Sequence, residues 1–323
     1  MAGNRKNKKR RRFRRVFFIS LIIFAAIFVY GYNILNKMDS ADISKDDTEL
    51  GITDESADSK DVVNIALFGL DRRDTSGGGR SDSVMIASLD KKHKKIKLTS
   101  LMRDTYIDIP GRGMDKLNHA YSFGGPELAI RTINQNFNMN IREFATVDFF
   151  GLEKIIDVMG GVEIDVKSNE VKYINTGVKE MDRLDNSSSP LVQQEGTQLL
   201  TGRQAVSYSR IRKTGNGDYE RTERQRVVLE QVLKRGMNAG ITKYPALLNA
   251  MLPYVETSLS KPEILSLGTS VLTSGIRDID QYRIPADGYV KNQTINGVSY
   301  VVPQSLEDNV MLLNKFIYED EKN

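Results

Sequence analysis

The strongest constraint on this chain is a run of 21 residues without a charge, Val16 to Asn36 (VFFISLIIFAAIFVYGYNILN), set directly behind nine bases in the first fifteen residues. As a helix the run would be roughly 31 Å long, the thickness of a bilayer core. Arg5, Lys6, Lys8, Lys9, Arg10, Arg11, Arg12, Arg14 and Arg15 precede it with no acid among them. The positive-inside rule then predicts residues 1–15 as a cytoplasmic basic tag, 16–36 as a transmembrane helix and everything beyond Lys37 outside, with Tyr30 and Tyr32 at the outer interface. A cleaved signal peptide shares the basic start, but its apolar core is shorter, and NKMDSADIS offers no A-x-A-like site directly behind the run. The expectation is a single-pass type II protein of the cell membrane with an extracellular folded part.

The formal charge of +4 and the pI near 9.0 belong to that tag. The remaining 37 bases face 42 acids, a balance of about −5, so nucleic acid is not an expected partner. The absence of cysteine excludes disulfide scaffolds, thiolate zinc sites, iron–sulfur clusters and cysteine nucleophiles, and two histidines argue against a multi-histidine metal centre. Residues 37–61 shift to Asp, Glu, Ser, Thr and Lys, a composition that predicts a disordered stalk.

From Val62 to the end the chain reads as one domain. Apolar runs of strand length (VVNIALFGL, SVMIASL, IKLTSLM, then FATVDF and VEIDV) alternate with helical patterns after Pro126, at 149–161, 202–210, 220–238, 243–251, 262–273 and 305–318, with strand candidates YRIP and VSYVV between the last two. That alternation predicts an α/β fold, a central mixed sheet flanked by helices. The strands are apolar almost throughout, as expected when both faces are covered.

Ligands of such sheets bind beyond the strand ends. The first strand runs into Asp71-Arg72-Arg73-Asp74, a triple glycine (Gly77, Gly78, Gly79) and Arg80-Ser81-Asp82. The third runs into Arg103-Asp104, with Lys116, Asn118 and His119 shortly after. Between Arg203 and Arg226 lie seven bases and three acids, among them Arg210, Arg212, Arg221 and Arg224. Guanidinium is permanently charged and meets phosphate oxygens bidentately, so an arginine cluster in an acidic domain points to a bound phosphate or pyrophosphate. The plainer reading of the 219–235 helix is a solvated face of Glu–Arg pairs, and it is the expectation for Glu223, Arg226 and Arg235. Asp71 and Asp82 read either as turn formers or caps, or as ligands of Mg²⁺, which takes one or two carboxylates beside phosphate oxygens. His119 alone reads as a structural hydrogen-bonder. P-loop, zincin, α/β-hydrolase and dinucleotide motifs are absent from the sequence.

Together ALFGLDRR, GRSDSVMIASLD, SLMRDTYIDIPG with KLNHAYSFGG, VDFFGLEKIIDVMGGVEIDV and LTGRQAVSYSRIRKTGNGDYERTERQR resemble, in this order, the LytR-CpsA-Psr (LCP) proteins of Gram-positive bacteria. The resemblance covers about residues 62–235. It implies an LCP-type ectodomain that transfers an anionic glycopolymer, wall teichoic acid above all, from an undecaprenyl-pyrophosphate-linked precursor onto peptidoglycan. It also implies contacts with the cell-wall synthesis machinery. By similarity Asp71 and Asp82 would hold Mg²⁺, with Mn²⁺ as its substitute. Arg80, Arg103, Arg210, Arg212, Arg221 and Gln225 would bind the pyrophosphate, and Asp218 falls where the family carries an acid. Asp82, Arg103, Arg210 and Arg212 are the expected catalytic set, with Asp82 or a neighbouring acid as base. A surface pyrophosphatase and a non-catalytic wall-binding or regulatory protein are the alternatives. An apolar channel for the lipid tail is expected beside the helices after Val227 and Leu247, or the 126–137 helix.

Overall fold

The computed structural model describes residues 39–322 apart from 55, 71–80, 216, 240–242 and 277. The basic tag, the 16–36 span, Asp71, the triple glycine and Arg80 lie outside the described residues. In chain order the elements are β1 (Asp39–Ser40), β2 (Val62–Leu70), β3 (Ser81–Asp90), β4 (Lys95–Leu101) and the hairpin β5 (Tyr106–Ile109) and β6 (Gly113–Lys116). They continue with α1 (Leu117–Phe137), β7 (Glu143–Asp148), α2 (Phe149–Val158), β8 (Val162–Val166), α3 (Ser168–Asp185), β9 (Gly196–Leu200), α4 (Gly202–Ser209) and α5 (Asp218–Asn238). The last are α6 (Tyr244–Met251), a 3₁₀ turn at Leu252–Tyr254, β10 (Glu256–Thr257), α7 (Lys261–Thr273), β11 (Asp278–Ile284), the hairpin β12 (Val290–Ile295) and β13 (Val298–Pro303), and α8 (Leu306–Asn314) running into a π-helical turn at Lys315–Glu319.

Seven strands form the mixed central sheet in the order β1-β10-β7-β2-β3-β4-β11. β2, β3 and β4 are an antiparallel meander, and β7 and β11 join its two edges in parallel. β2, β4, β7 and β11 therefore all terminate at one end of the sheet, its upper end. The expected α/β architecture is present.

The two faces are covered unequally. Val62, Ala66, Phe68 and Leu70 of β2 sit in a large core with Ile130, Ile133 and Phe137 of α1 and with Leu313, Phe316 and Ile317 from the α8 end. The alternate residues Val63, Ile65 and Leu67 face the other way and stay half-buried. On that second face α5 and α7 pack Leu229, Leu233, Leu267 and Val271 around Leu89, Ile96 and Leu98. A separate apolar cluster joins α2, α3, α4 and the β8–β9 ribbon. At the lower end the Lys97 ammonium, fully buried, meets Asp90 at 2.7 Å, Asp320 at 3.2 Å and the Ile317 carbonyl at 2.9 Å.

Several elements differ from expectation. The helix assigned after Pro126 begins at Leu117, and non-helical Gly124 and Gly125 (φ 65°) kink it before Pro126, which has no N–H to give. α3, the β5–β6 hairpin, β9 and β12 were not legible as elements. The segment expected as a stalk is packed on the domain from Asp39 onwards: β1 adds a strand beside β10, Ser44 N–H donates to Glu127 (2.9 Å), and Ala57 N–H to the Asn138 carbonyl (2.8 Å). Leu50 is fully buried in the α1 core, and its carbonyl accepts from the Asn134 amide at 2.8 Å. A few well-spaced apolar residues suffice because they dock on a surface already built. Leu50→Ala should therefore cost about 2–5 kcal/mol in urea unfolding, the range for a buried leucine, where a free stalk would give no change.

Candidate active site

The residues that follow the strands meet at the upper end of the sheet. Asp82, second residue of β3, is brought there by a close approach: a Cβ on Gly69 would lie 2.9 Å from Ser83 Cβ, so the end of β2 can sit against β3 only as glycine. Arg103 and Asp104 follow β4, Lys116 closes β6, and Phe149 follows β7. α4, held at its start by a capping box between Thr201 and Gln204, ends at Arg210. The following loop presents Arg212 and Lys213 to solvent and returns through Gly215 and Gly217, both at positive φ, to Asp218 at the start of α5.

These side chains form one ionic network. Asp82 is ion-paired through Oδ1 with Arg103, and its Oδ2 lies 3.5 Å from Arg212 Nη2. Arg103 also reaches Asp104 (3.4 Å) and Asp218 (3.6 Å). Lys116 donates to Asp104 at 2.8 Å and Arg221 to Asp218 at 2.9 Å. Burial alone would lower the Arg103 pKa, but Asp82, Asp218 and Asp104 around it raise it above the usual arginine value. Burial alone would raise the Asp104 carboxyl; the Lys116 hydrogen bond and the Arg103 charge outweigh it and hold it below the usual range.

Among the described residues Arg103 has one buried nitrogen, Nε, without a hydrogen bond, and Arg221 has two. The Arg221 side chain is 2% exposed, and Nε and Nη1 are buried with no hydrogen-bond acceptor among the described residues. Burial, opposed by Asp218 and reinforced by the like charges of Arg103 and Arg212, pushes it down to about 10, so it remains a cation at neutral pH. Leaving charged donors unsatisfied costs more than the roughly 1–3 kcal/mol of a neutral group, and an anion with several oxygens removes that cost. Beside it opens a cavity of about 330 Å³ lined by Asp82, Arg210, Arg212, Arg221 and Gln225. Arg210 lies over the Phe149 ring at 4.8 Å. The structure thus brings together all the described residues expected at the site: Asp82, Arg103, Arg210, Arg212, Asp218, Arg221 and Gln225.

Not every arginine of the 203–226 stretch belongs here. Arg203 is a buried tie from α4 to Glu153 of α2 (2.9 Å) and Asp182 of α3 (2.6 Å). Arg224 ties α5 to Glu170 of α3 at 2.7 Å and to the Ile211 carbonyl at 3.2 Å, which fixes the loop that carries Arg212. Arg226, expected on a solvated face, is buried and donates from Nε to Gln281 of β11 at 3.2 Å; helix α5 turns that position onto the sheet. His119 Nδ1 lies 2.7 Å from Asp115, a structural contact as expected. The cavity wall from α3, with Tyr173, Thr176, Gly177 and Glu180, was not foreseen; a Cβ on Gly177 would meet Ser207 Cβ at 2.9 Å, so this glycine lets α3 approach α4. Phe149 was open to the strand-end rule, since it directly follows β7.

Asp82 is an oxygen donor of the kind a hard cation takes, and Oδ2 lies against a half-exposed arginine rather than a buried one, so it fits a metal shared with phosphate oxygens. Among the described residues the acid and histidine group compact enough to hold a metal is Asp90, His93 and Asp320. It lies at the lower end, where the Lys97 ammonium already supplies a positive charge.

Residues 25–315 match the LytR_cpsA_psr family. The chain belongs to the LytR-CpsA-Psr family. Among its relatives, the polyisoprenyl-teichoic acid–peptidoglycan teichoic acid transferase TagU of Oceanobacillus iheyensis is 34% identical over 77% of this chain and 74% of its own. The regulatory protein MsrR of Staphylococcus aureus is 31% identical over 80% and 75%. The LCP structure of YwtF (TagT) with bound octaprenyl pyrophosphate lipid shares the fold at a TM-score of 0.62 and 22% identity, covering 85% of this chain and 99% of that one. For this LCP chain the two kinds of arginine predict opposite behaviour. Arg221→Met should leave the unfolding midpoint unchanged or raise it while weakening inorganic pyrophosphate binding by about tenfold or more in calorimetric titration. Arg224→Met should cost about 3–5 kcal/mol in denaturant unfolding, because it leaves buried Glu170 unpaired.

Proposed function

We propose that this protein is a phosphotransferase that moves an anionic glycopolymer, wall teichoic acid above all, from its undecaprenyl-pyrophosphate-linked precursor to the muramic-acid 6-hydroxyl of peptidoglycan. The observation that carries the reading is Arg221: a buried guanidinium with two unsatisfied nitrogens, beside a cavity lined by further arginines, asks for a multiply charged oxyanion. The half-covered second face of β2, where Val63 packs with Leu229 and Leu233 of α5 and Ile65 and Leu67 are half-buried, offers the apolar ground for a polyprenyl tail. The 126–137 part of α1 does not, since Ile130, Ile133 and Phe137 are fully enclosed.

In the reaction the acceptor hydroxyl oxygen bonds to the glycan-bearing phosphorus as the bond from that phosphorus to the bridging oxygen breaks. Undecaprenyl phosphate leaves. The hydroxyl proton passes to a carboxylate of the Asp82, Asp104 and Asp218 set. Arg103, Arg210, Arg212 and Arg221 hold the pyrophosphate in line and neutralise charge on its oxygens, which is most of what phosphoryl transfer requires. Arg80 and Gln225 complete the binding set. Mg²⁺, or Mn²⁺ in its place, held by Asp82 together with Asp71, would supply further neutralisation. The protein would act as a single-pass type II membrane protein with this site on the outer side, alongside the wall-synthesis machinery.

The test is Mg²⁺-dependent transfer of a short lipid-pyrophosphate-linked saccharide onto nascent peptidoglycan. Wild-type transfer that falls by about 10²-fold or more in Asp82→Ala and Arg210→Ala supports the reading. Release of lipid phosphate without linked product would replace it with a hydrolase, and lipid binding without turnover with a binding protein.

A further inference from the structure

The path of residues 39–61 fixes which way the domain faces. β1 runs parallel to β10, with Asp39 opposite Glu256 and Ser40 opposite Thr257, and β10 runs antiparallel to β7, with Glu256 opposite Thr146 and Thr257 opposite Ala145. β7 ends at the upper end of the sheet, so the chain enters β1 from that end and descends. It passes Glu127 and Asn138 on the way to the start of β2 at the bottom. Only Lys37 and Met38 separate Asp39 from the apolar run that ends at Asn36. Three Cα–Cα steps reach at most about 11 Å. Asp82 stands four strand spacings away along the same end, about 19 Å.

The surface beside that entry suits a bilayer interface. Tyr254, on the 3₁₀ turn before β10, is 42% exposed. It packs on the start of α2, where a Cβ on Gly151 would lie 3.0 Å from Tyr254 Cβ and where Phe149 and Phe150 are half-buried. Exposed Arg212 and Lys213 belong to the same end. Aromatic side chains favour the headgroup region, and bases favour anionic lipid. We infer that the upper end of the domain, centred on Tyr254 and Phe150, rests on the outer surface of an anionic bilayer, so that the arginine cluster opens at headgroup level rather than away from the membrane. This rests on residues 16–36 being an uncleaved span.

The chain has no tryptophan, so single replacements report position without background. The full-length protein carrying Tyr254→Trp, or Phe150→Trp as a second probe, is reconstituted into vesicles of phosphatidylglycerol and phosphatidylcholine with brominated acyl chains. Lys92→Trp, in the exposed turn between β3 and β4 at the lower end, is the control. The expected result is emission roughly halved for the upper-end probes, which sit within about 5–10 Å of the acyl boundary, and unchanged for Lys92→Trp. If the protein floats with the vesicles but the upper-end probes are not quenched, or Lys92→Trp is quenched as strongly, the docking inference fails while the span stands. If the protein does not float, the span fails and the docking inference with it.

Discussion

A guanidinium removed from water needs acceptors for all its nitrogens, and Arg221 has them for one. Asp218 and the Asp82 carbonyl serve Nη2, while Nε and Nη1 are buried without acceptors among the described residues. Much of the rest of the site can be understood as the means of holding that unfinished arrangement in place. Arg103 shares Asp218 with it, and the Asp82 carboxylate is divided between Arg103 and Arg212, so that neither carboxylate fully compensates one cation. The network holds more cations than carboxylates, the imbalance that the proposed pyrophosphate site calls for.

The arginines that are fully compensated do mechanical work. Arg203 and Arg224 each join two or more elements through buried carboxylates, and Arg224 sets the loop from Arg210 to Gly217 against α3. Breaking either would leave an unpaired buried charge, which costs far more than the intact pair contributes. One stretch of sequence, rich in one residue type, thus carries both the ligand-facing charges and the framework that aims them. Which is which depends on whether a carboxylate from a distant segment arrives to meet the guanidinium, and that is a property of the fold.

That distinction also marks the limit of what the sequence discloses. The apolar strands β2, β3 and β4 and the residues just beyond them were legible because near-continuous apolar runs and the strand-end position leave local marks. Asp82 and Arg103 were found by that rule, and Arg210 by the density of arginine between residues 203 and 226. α3 was missed although Ile174, Val178 and Met181 recur at helical spacing, because the polar residues between them dominate the composition. β12 carries almost no apolar pattern, since it pairs only with β13. Arg226 and the 39–61 segment failed for a shared reason: their polar character is local, whereas the surface that buries them is built by residues far away in the chain.

The segment from Asp39 to Asp61 also decides how the domain would bear load. A stalk transmits tension without altering what it carries. Here a pull on the chain ahead of Asp39 would act along β1, sliding it past β10 rather than peeling it away, and so would be shared by the ladder bonds together. Beyond that short ladder the next restraints are Ser44 on Glu127 and the buried side chain of Leu50. Force would thus reach the α1 core only after the sheet edge had slipped.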